Sequence, residues 1–266
     1  MAWLNQYDHF VPEEHLASVV GIAAEMGKHD SGFHSHDRGQ LLFTQSGCMR
    51  ITLASRVSVL PPMRIAWIPP KLEHRVEMYA AVGYRSVYIA DKFHHRFPTE
   101  SEILTISPLL REILERIAIA DFDTQWEVGR YANLLAVFLD EIQQAKRQPN
   151  HLSMPSDRRL RKLSFDELPP PLQELAQYIG ASEKTITRLF YKETGLSYQQ
   201  WRQQWRLMKA IELLATHHRY LEISQLLGFA SDSAFITFFK NDRANTTRVF
   251  KKLIHTNSIK PRKNGA

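Results

Sequence analysis

One cysteine, Cys48, stands in 266 residues, so no disulfide can close within the chain, and a reducing cytoplasm is the expectation. No apolar run approaches the roughly 20 residues that span a bilayer. The opening MAWLNQYDHF meets Pro12, Glu13 and Glu14 almost at once, which does not fit a signal peptide, and no membrane partner is expected. Acid is scarce in the C-terminal half. Residues 151–266 hold 19 Lys and Arg against 10 Asp and Glu, a net charge of +9, whereas residues 1–150 hold 15 against 18, a net of −3. A basic half beside a mildly acidic one fits one domain that meets phosphate and one that does not. The length and the 44% hydrophobic content suffice for two domains with real cores.

The stretch LQELAQYIGASEKTITRLFYK, residues 172–192, organises the basic half. Leu172, Leu175, Ala176 and Ile179 fall at i, i+3, i+4 and i+7, one apolar face of a short helix. Gly180 supplies a left-handed turn residue, and Ser182 offers an oxygen to the free N–H groups of a second helix. There Ile186, Leu189 and Phe190 point one way, and Lys184, Thr187, Arg188 and Tyr191 the other. This is the pattern of a helix-turn-helix with a free polar face. Such a helix fits the major groove, where Arg forks onto guanine and Thr meets a polar edge or a thymine methyl. A solvated helical hairpin would show the same pattern once.

It occurs twice. Glu174, Leu175, Gln177 and Gly180 recur as Glu222, Ile223, Gln225 and Gly228; with one residue inserted in the turn, Ser182, Ile186, Leu189 and Phe190 recur as Ser231, Phe235, Phe238 and Phe239. The second unit offers Asp232, Ser233, Thr237 and Lys240 to a groove. Between the units, Ser197 to about Thr216 reads as one helix with Trp201, Trp205, Met208, Ile211 and Ala215 inward and a second stripe of Arg202, Arg206 and Lys209, of which Arg202 and Arg206 are expected to meet DNA. About 18 residues span roughly 27 Å, close with its turns to the roughly 34 Å between successive major grooves on one face of DNA.

DRRLRK at 157–162, SEKTITRLFYKETGLS at 182–197, WRQQWRLMKAIELLA at 201–215 and LLGFASDSAFITFFK at 226–240 resemble the C-terminal region of AraC-type transcriptional regulators. The resemblance implies one polypeptide that binds double-stranded DNA through two such units, the first making more base contacts, and allows RNA polymerase as a further partner. The chain departs from the family at Arg243, Ala244 and Thr247, where an aromatic residue, a Gly and a Pro usually follow the second recognition helix, so whether the second unit functions stays open. The stretch from Lys162 to Leu172, with Pro169, Pro170 and Pro171, is short for the family's first helix.

Residues 30 to about 92 read as β structure: LLFTQ, MRITLA, RIAWIP and SVYIA are punctuated by Ser46-Gly47, Pro61-Pro62, Pro69-Pro70 and Gly83. HSHDRGQLLF and the later WIPPKLEH resemble the cupin-like sensor domain of one subgroup of these regulators. His34, His36 and His74 are the candidate chemistry. Three imidazoles suit a divalent metal, although Gln40 stands near the place where the cupin pattern carries an acid. The alternative is a ligand pocket lined by His34, His36, Gln40 and His74 with Trp67 and Phe43 as walls.

Ser107-Pro108 opens a helix, PLLREILERIAIA, and Asp123 or Thr124 is placed to cap the next, from Gln125 to about Arg147. Val128, Tyr131, Leu135, Phe138 and Ile142 form a seam that suits either a homodimer contact or packing on the chain's own β domain. The expectation is an α+β chain: a cupin-like β-barrel with a helical extension, residues 1–147, for sensing and dimerisation; a linker, 148–157; an all-α double helix-turn-helix domain, 158–254; and a basic disordered tail, 255–266. Its function is expected to be DNA binding controlled by a small-molecule effector, without enzyme activity. The other class left open is a metal-dependent cupin oxygenase or isomerase with an accessory DNA-binding domain, for which Glu73 and Glu77 are the nearby acids.

Overall fold

The computed structural model describes residues 2–5, 8, 10–148, 151–160 and 163–241. Arg161 and Lys162, the departures at Arg243, Ala244 and Thr247, and the tail 255–266 lie outside the described residues. The chain forms two compact units, one of Met1–Ala54 with Ser58–His151, the other of Ser55–Val57 with the described residues from Leu152 on.

Up to the start of the helical unit the chain forms β1 (Val19–Met26), β2 (His29–Asp30), β3 (Gly39–Thr44), β4 (Met49–Leu53), β5 (Arg56–Leu60), β6 (Arg64–Ile68), β7 (Arg75–Met78), β8 (Val82–Ile89), β9 (Glu102–Thr105), α1 (Pro108–Ala118), α2 (Gly129–Gln144), β10 (Arg147–Gln148) and β11 (His151–Ser153). One sheet has the order β1-β8-β3-β6-β9-β10, the other β11-β5-β4-β7-β2. The six-stranded sheet is covered on both faces. Leu41, Phe43, Ile65, Trp67, Val87 and Ile89 pack with Leu110, Ile113, Leu114, Leu135, Phe138 and Ile142 of α1 and α2, while Leu42, Ala66 and Ile68 pack with Met49, Ile51, Leu60, Val76 and Met78 of the second sheet. Burial of both faces is why β3 and β6 read as continuous apolar runs rather than alternating ones.

The β structure extends beyond 30–92. β1 pairs with β8 from Val19↔Ile89 to Met26↔Val82, and β9 pairs with β6. β1 carries Gly21 because a Cβ there would run into the backbone carbonyl of Ile117 in α1.

Ser107 caps α1 as expected, accepting the Leu110 N–H. α2 begins four residues later than expected, and neither Asp123 nor Thr124 caps it. Thr124 Oγ1 instead donates to the carbonyl of Asp121 at 2.6 Å, Trp126 is buried in the core, and Gly129, with φ +56°, cannot extend a right-handed helix backwards. Leu135, Phe138 and Ile142 of the seam, with Leu139, are spent on the unit's own core, as in the alternative of packing within the chain, while Tyr131 is half-buried and Val128 exposed.

The second unit is helical: α3 (Leu172–Ile179), α4 (Glu183–Thr194), α5 (Tyr198–Ala215), α6 (Tyr220–Leu226) and α7 (Asp232–Asn241). Gly180 closes α3 at φ +66°, Ser182 caps α4 through the Thr185 N–H, and Ser197 with Gln200 forms a capping box on α5. Leu175, Ile186, Phe190, Trp201, Trp205, Ile211, Ile223, Phe235 and Phe239 are buried. No helix among the described residues is long and apolar enough to cross a membrane.

Candidate functional site

Two groups of side chains carry chemistry, one in each unit. On α4, Ile186 and Phe190 are buried, the latter 4.9 Å from the ring of Tyr198 and 5.3 Å from that of Trp201. This anchoring fixes the opposite face. Lys184, Thr187, Arg188 and Tyr191, at i, i+3, i+4 and i+7, are all exposed, Tyr191 by 68%. On α7, Asp232, Ser233, Thr237 and Lys240 are exposed as well. The carboxylate of Asp232 accepts the Ser233 N–H at 2.8 Å, so the acid is turned onto the start of its own helix, where the dipole favours it.

Of the expected basic stripe on α5, Arg206 is buried and Arg202 and Lys209 are half-buried. Arg202 Nε donates to the Pro169 carbonyl at 2.6 Å. Arg206 is only 9% exposed; its guanidinium stands 5.0 Å from the Phe229 ring and reaches the Gly228 carbonyl at 3.4 Å. Lys209 pairs with Glu212 at 2.5 Å. Burial of Arg206 takes it off the surface expected to meet DNA and sets it against the turn between α6 and α7, while half-buried Arg202 braces the segment before α3 through its Nε. The polar stripe was legible; the neighbours that would consume it were not.

In the first unit, His34 and His74 form an isolated antiparallel bridge with both backbone hydrogen bonds at 2.9 Å. One ring nitrogen each of His34, His36 and His74 lies within 4.8 Å of the others, and no carboxylate belongs to this cluster among the described residues. Each Nδ1 donates to a main-chain carbonyl: His34 to Gly32 at 3.1 Å, His36 to Arg38 at 2.5 Å and His74 to Leu72 at 2.9 Å. His74 is 0% exposed, and its Nε2 has no hydrogen-bond partner. Burial, reinforced by the two neighbouring imidazoles, pushes its pKa down to about 4, so the ring is neutral. Gln40 Oε1 stands 3.0 Å from His36 Nε2, while Gln40 Nε2 donates to Ser86 Oγ at 2.9 Å and to Tyr88 Oη at 3.0 Å.

Trp67 and Phe43 are not walls of this cluster. Leu41 pairs with Trp67 in register and Gln40 with Ile68, so the strand's alternation sends Trp67 and Phe43 to the helix side and Gln40 to the other. Trp67 instead stacks on Phe97 at 4.3 Å. Tyr88 takes the wall position: it lies opposite Gln40 in register and 5.2 Å from the His36 ring. Sequence reasoning missed Tyr88 and Ser86, whose signal was the two-residue step along SVYIA. Phe10 closes over Tyr88 at 5.5 Å. Glu77 is committed to Arg50, Arg75 and the Tyr79 hydroxyl, which removes it as a free acid for this cluster.

Residues 16–156 match the model of the AraC-like ligand binding domain, and residues 175–253 match that of a helix-turn-helix domain. The chain is 30% identical over 250 residues to the HTH-type transcriptional regulator NimR of Escherichia coli K12, covering 91% of this chain and 90% of that protein. It is 35% identical over 80 residues to the HTH-type transcriptional regulator RipA of Corynebacterium diphtheriae, 30% of this chain and 24% of that one. Among solved structures, unsaturated fatty acid-bound ToxT from Vibrio cholerae matches 90% of this chain and 96% of its own at 11% identity, with a TM-score of 0.38.

Proposed function

This chain belongs to the family of AraC-type transcriptional regulators, and from that premise we propose how its residues divide the work of a ligand-controlled, DNA-binding regulator. α4 reads bases with Lys184, Thr187, Arg188 and Tyr191, and α7, with Asp232, Ser233, Thr237 and Lys240, mainly positions the protein on the duplex. The exposed face of α4 carries this reading, because its opposite face is buried and cannot turn away. Residues 1–147 form the sensing domain, 148–157 the connection and 158–254 the DNA-binding domain. His34, His36, Gln40 and His74, with Tyr88 and Ser86, line the sensing site. A ligand that binds one state of the chain more tightly shifts the DNA-competent fraction by no more than that difference in affinity.

The protein works in the cytoplasm as a homodimer that meets RNA polymerase at the promoter. Support for the dimer comes from the outer groove of α1 and α2, where Leu109, Ile119 and Val137 are exposed beside Glu112, Arg116 and Arg130. Apolar residues ringed by both signs of charge suit a two-fold contact with a second copy.

The test is binding to DNA from upstream of its own gene and its neighbours, against scrambled DNA, over a salt series. Arg188→Ala should lose about 1–3 kcal/mol of the preference for one fragment. Equal binding of every fragment by both proteins, fading only with salt, would leave a mere electrostatic surface.

A further inference from the structure

We propose that Arg206 is a positioning residue that fixes the spacing of the two DNA half-sites this chain accepts, by locking the turn of the second helix-turn-helix onto α5. The proposal rests on the reading above, in which α4 and α7 both enter the grooves.

Two recognition helices keep a fixed distance only if both are clamped to the helix between them. For the first unit the clamp is broad. Phe190 of α4 packs 4.9 Å from the Tyr198 ring and 5.3 Å from that of Trp201, and α5 donates from Tyr198 Oη to the Pro170 carbonyl and from Arg202 Nε to that of Pro169, both at 2.6 Å. In the second unit Ile223 and Leu227 are fully buried, but apolar burial is non-directional and does not by itself fix an angle. Direction comes from Arg206. Its Nη2 reaches the Gly228 carbonyl at 3.4 Å and its guanidinium lies 5.0 Å from the Phe229 ring. Phe229 in turn meets Phe235 and Phe238 of α7 at 5.8 and 5.0 Å.

The residue type at this position is informative. Arg206 stays charged, is buried, pairs with no carboxylate among the described residues, and has an Nε without a partner. An apolar side chain of similar length would be as stable there or more so. What the guanidinium adds is geometry, a plane that stacks and a donor that points.

Gly228 completes the junction. It stands at φ +67°, and a Cβ there would lie 3.0 Å from Leu168 Cδ2. Leu168 directly precedes the two carbonyls that Arg202 and Tyr198 hold, so the segment entering α3 and the turn entering α7 touch each other as well as α5. One base pair inserted between half-sites moves the second by about 3.4 Å and turns it by about 35°, a change that a locked pair of helices cannot follow.

The test uses the full-length protein and the upstream fragment it prefers, with one base pair inserted or deleted between the two grooves that footprinting shows protected. The parent should lose about 10-fold or more in affinity with either change and Arg206→Met about 3-fold or less, while the two bind the unaltered fragment within about 3-fold of each other. Leu168→Ala should relax the same profile. Arg206→Met should unfold at the parent's midpoint or above it, which an arginine held only for stability would not allow. Spin labels on Gln177→Cys and Gln225→Cys, both exposed, in a Cys48→Ser chain diluted with unlabelled protein, read the lock without DNA: one narrow distance distribution in the parent and a broader one with Arg206→Met. A parent indifferent to spacing, equal label widths, or a spacing profile that Arg206→Met leaves unmoved overturns this proposal and leaves the regulator reading standing. A chain that prefers no fragment overturns that reading, and this proposal with it.

Discussion

The carboxylate of Glu193, on the last turn of α4, accepts the backbone N–H of Ser156 at 2.6 Å and that of Asp157 at 3.0 Å. Trp201 of α5 donates its indole N–H to the Ser153 carbonyl at 2.7 Å. Residues 153–157, which composition marks as linker, are thus strapped to the back of the helix that presents Arg188. Glu193→Ala should free the Ser156 and Asp157 amides to exchange with solvent hydrogen and cost about 1 kcal/mol, since bonds to a charged acceptor are worth more than neutral ones but this one is partly exposed. Unchanged exchange at both amides would show that the strap is held by other contacts.

Arg206 yields a contrast with Arg188. Because its guanidinium is buried against the Phe229 ring and the Gly228 carbonyl, Arg206→Met, which keeps the apolar stem, should leave the slope of log affinity against log salt where it was. A slope smaller by about 1 would mean that a phosphate contact had been lost.

The outer groove of α1 and α2 is tested by charge. Val137→Glu places a carboxylate among exposed Leu109 and Ile119. The mass measured by light scattering should fall from dimer to monomer at low micromolar concentration with the fold intact; a mass that does not change rules the groove out.

Two glycines separate steric from conformational cost. Gly21→Ala would drive its Cβ into the main chain of Ile117, and backbone cannot rotate aside as a side chain can, so denaturant unfolding should show a loss of about 3 kcal/mol. Gly180→Ala meets nothing within 4 Å but sits at φ +66°, and should lose only about 1 kcal/mol. Equal losses would contradict this division.

The second unit was open to reading because its signals are local. The 3.6-residue period, a left-handed Gly180 and the Ser182 and Ser197 caps all act within a few residues, and α3, α4 and α5 stand where these place them. The burial of Arg206 was not legible, since a polar stripe looks alike whether it faces phosphate or a carbonyl of the same unit. Only the segment at 163–171 and the turn around Gly228 decide which.

In the first unit the sequence by itself determined the three histidines, the glutamine beside them and the existence of many short strands. It left open which residues share a face, because a strand buried on both sides is apolar at every step and its alternation disappears from the sequence. The tertiary structure decided that. Pairing Gln40 with Tyr88 and Ile68 puts the amide beside the histidines and sends Trp67 and Phe43 to the helices. The seam of α2 went the same way: its spacing was plain, but whether a second copy or α1 would cover it depended on what lay closest in space, and the unit's own core lay closer.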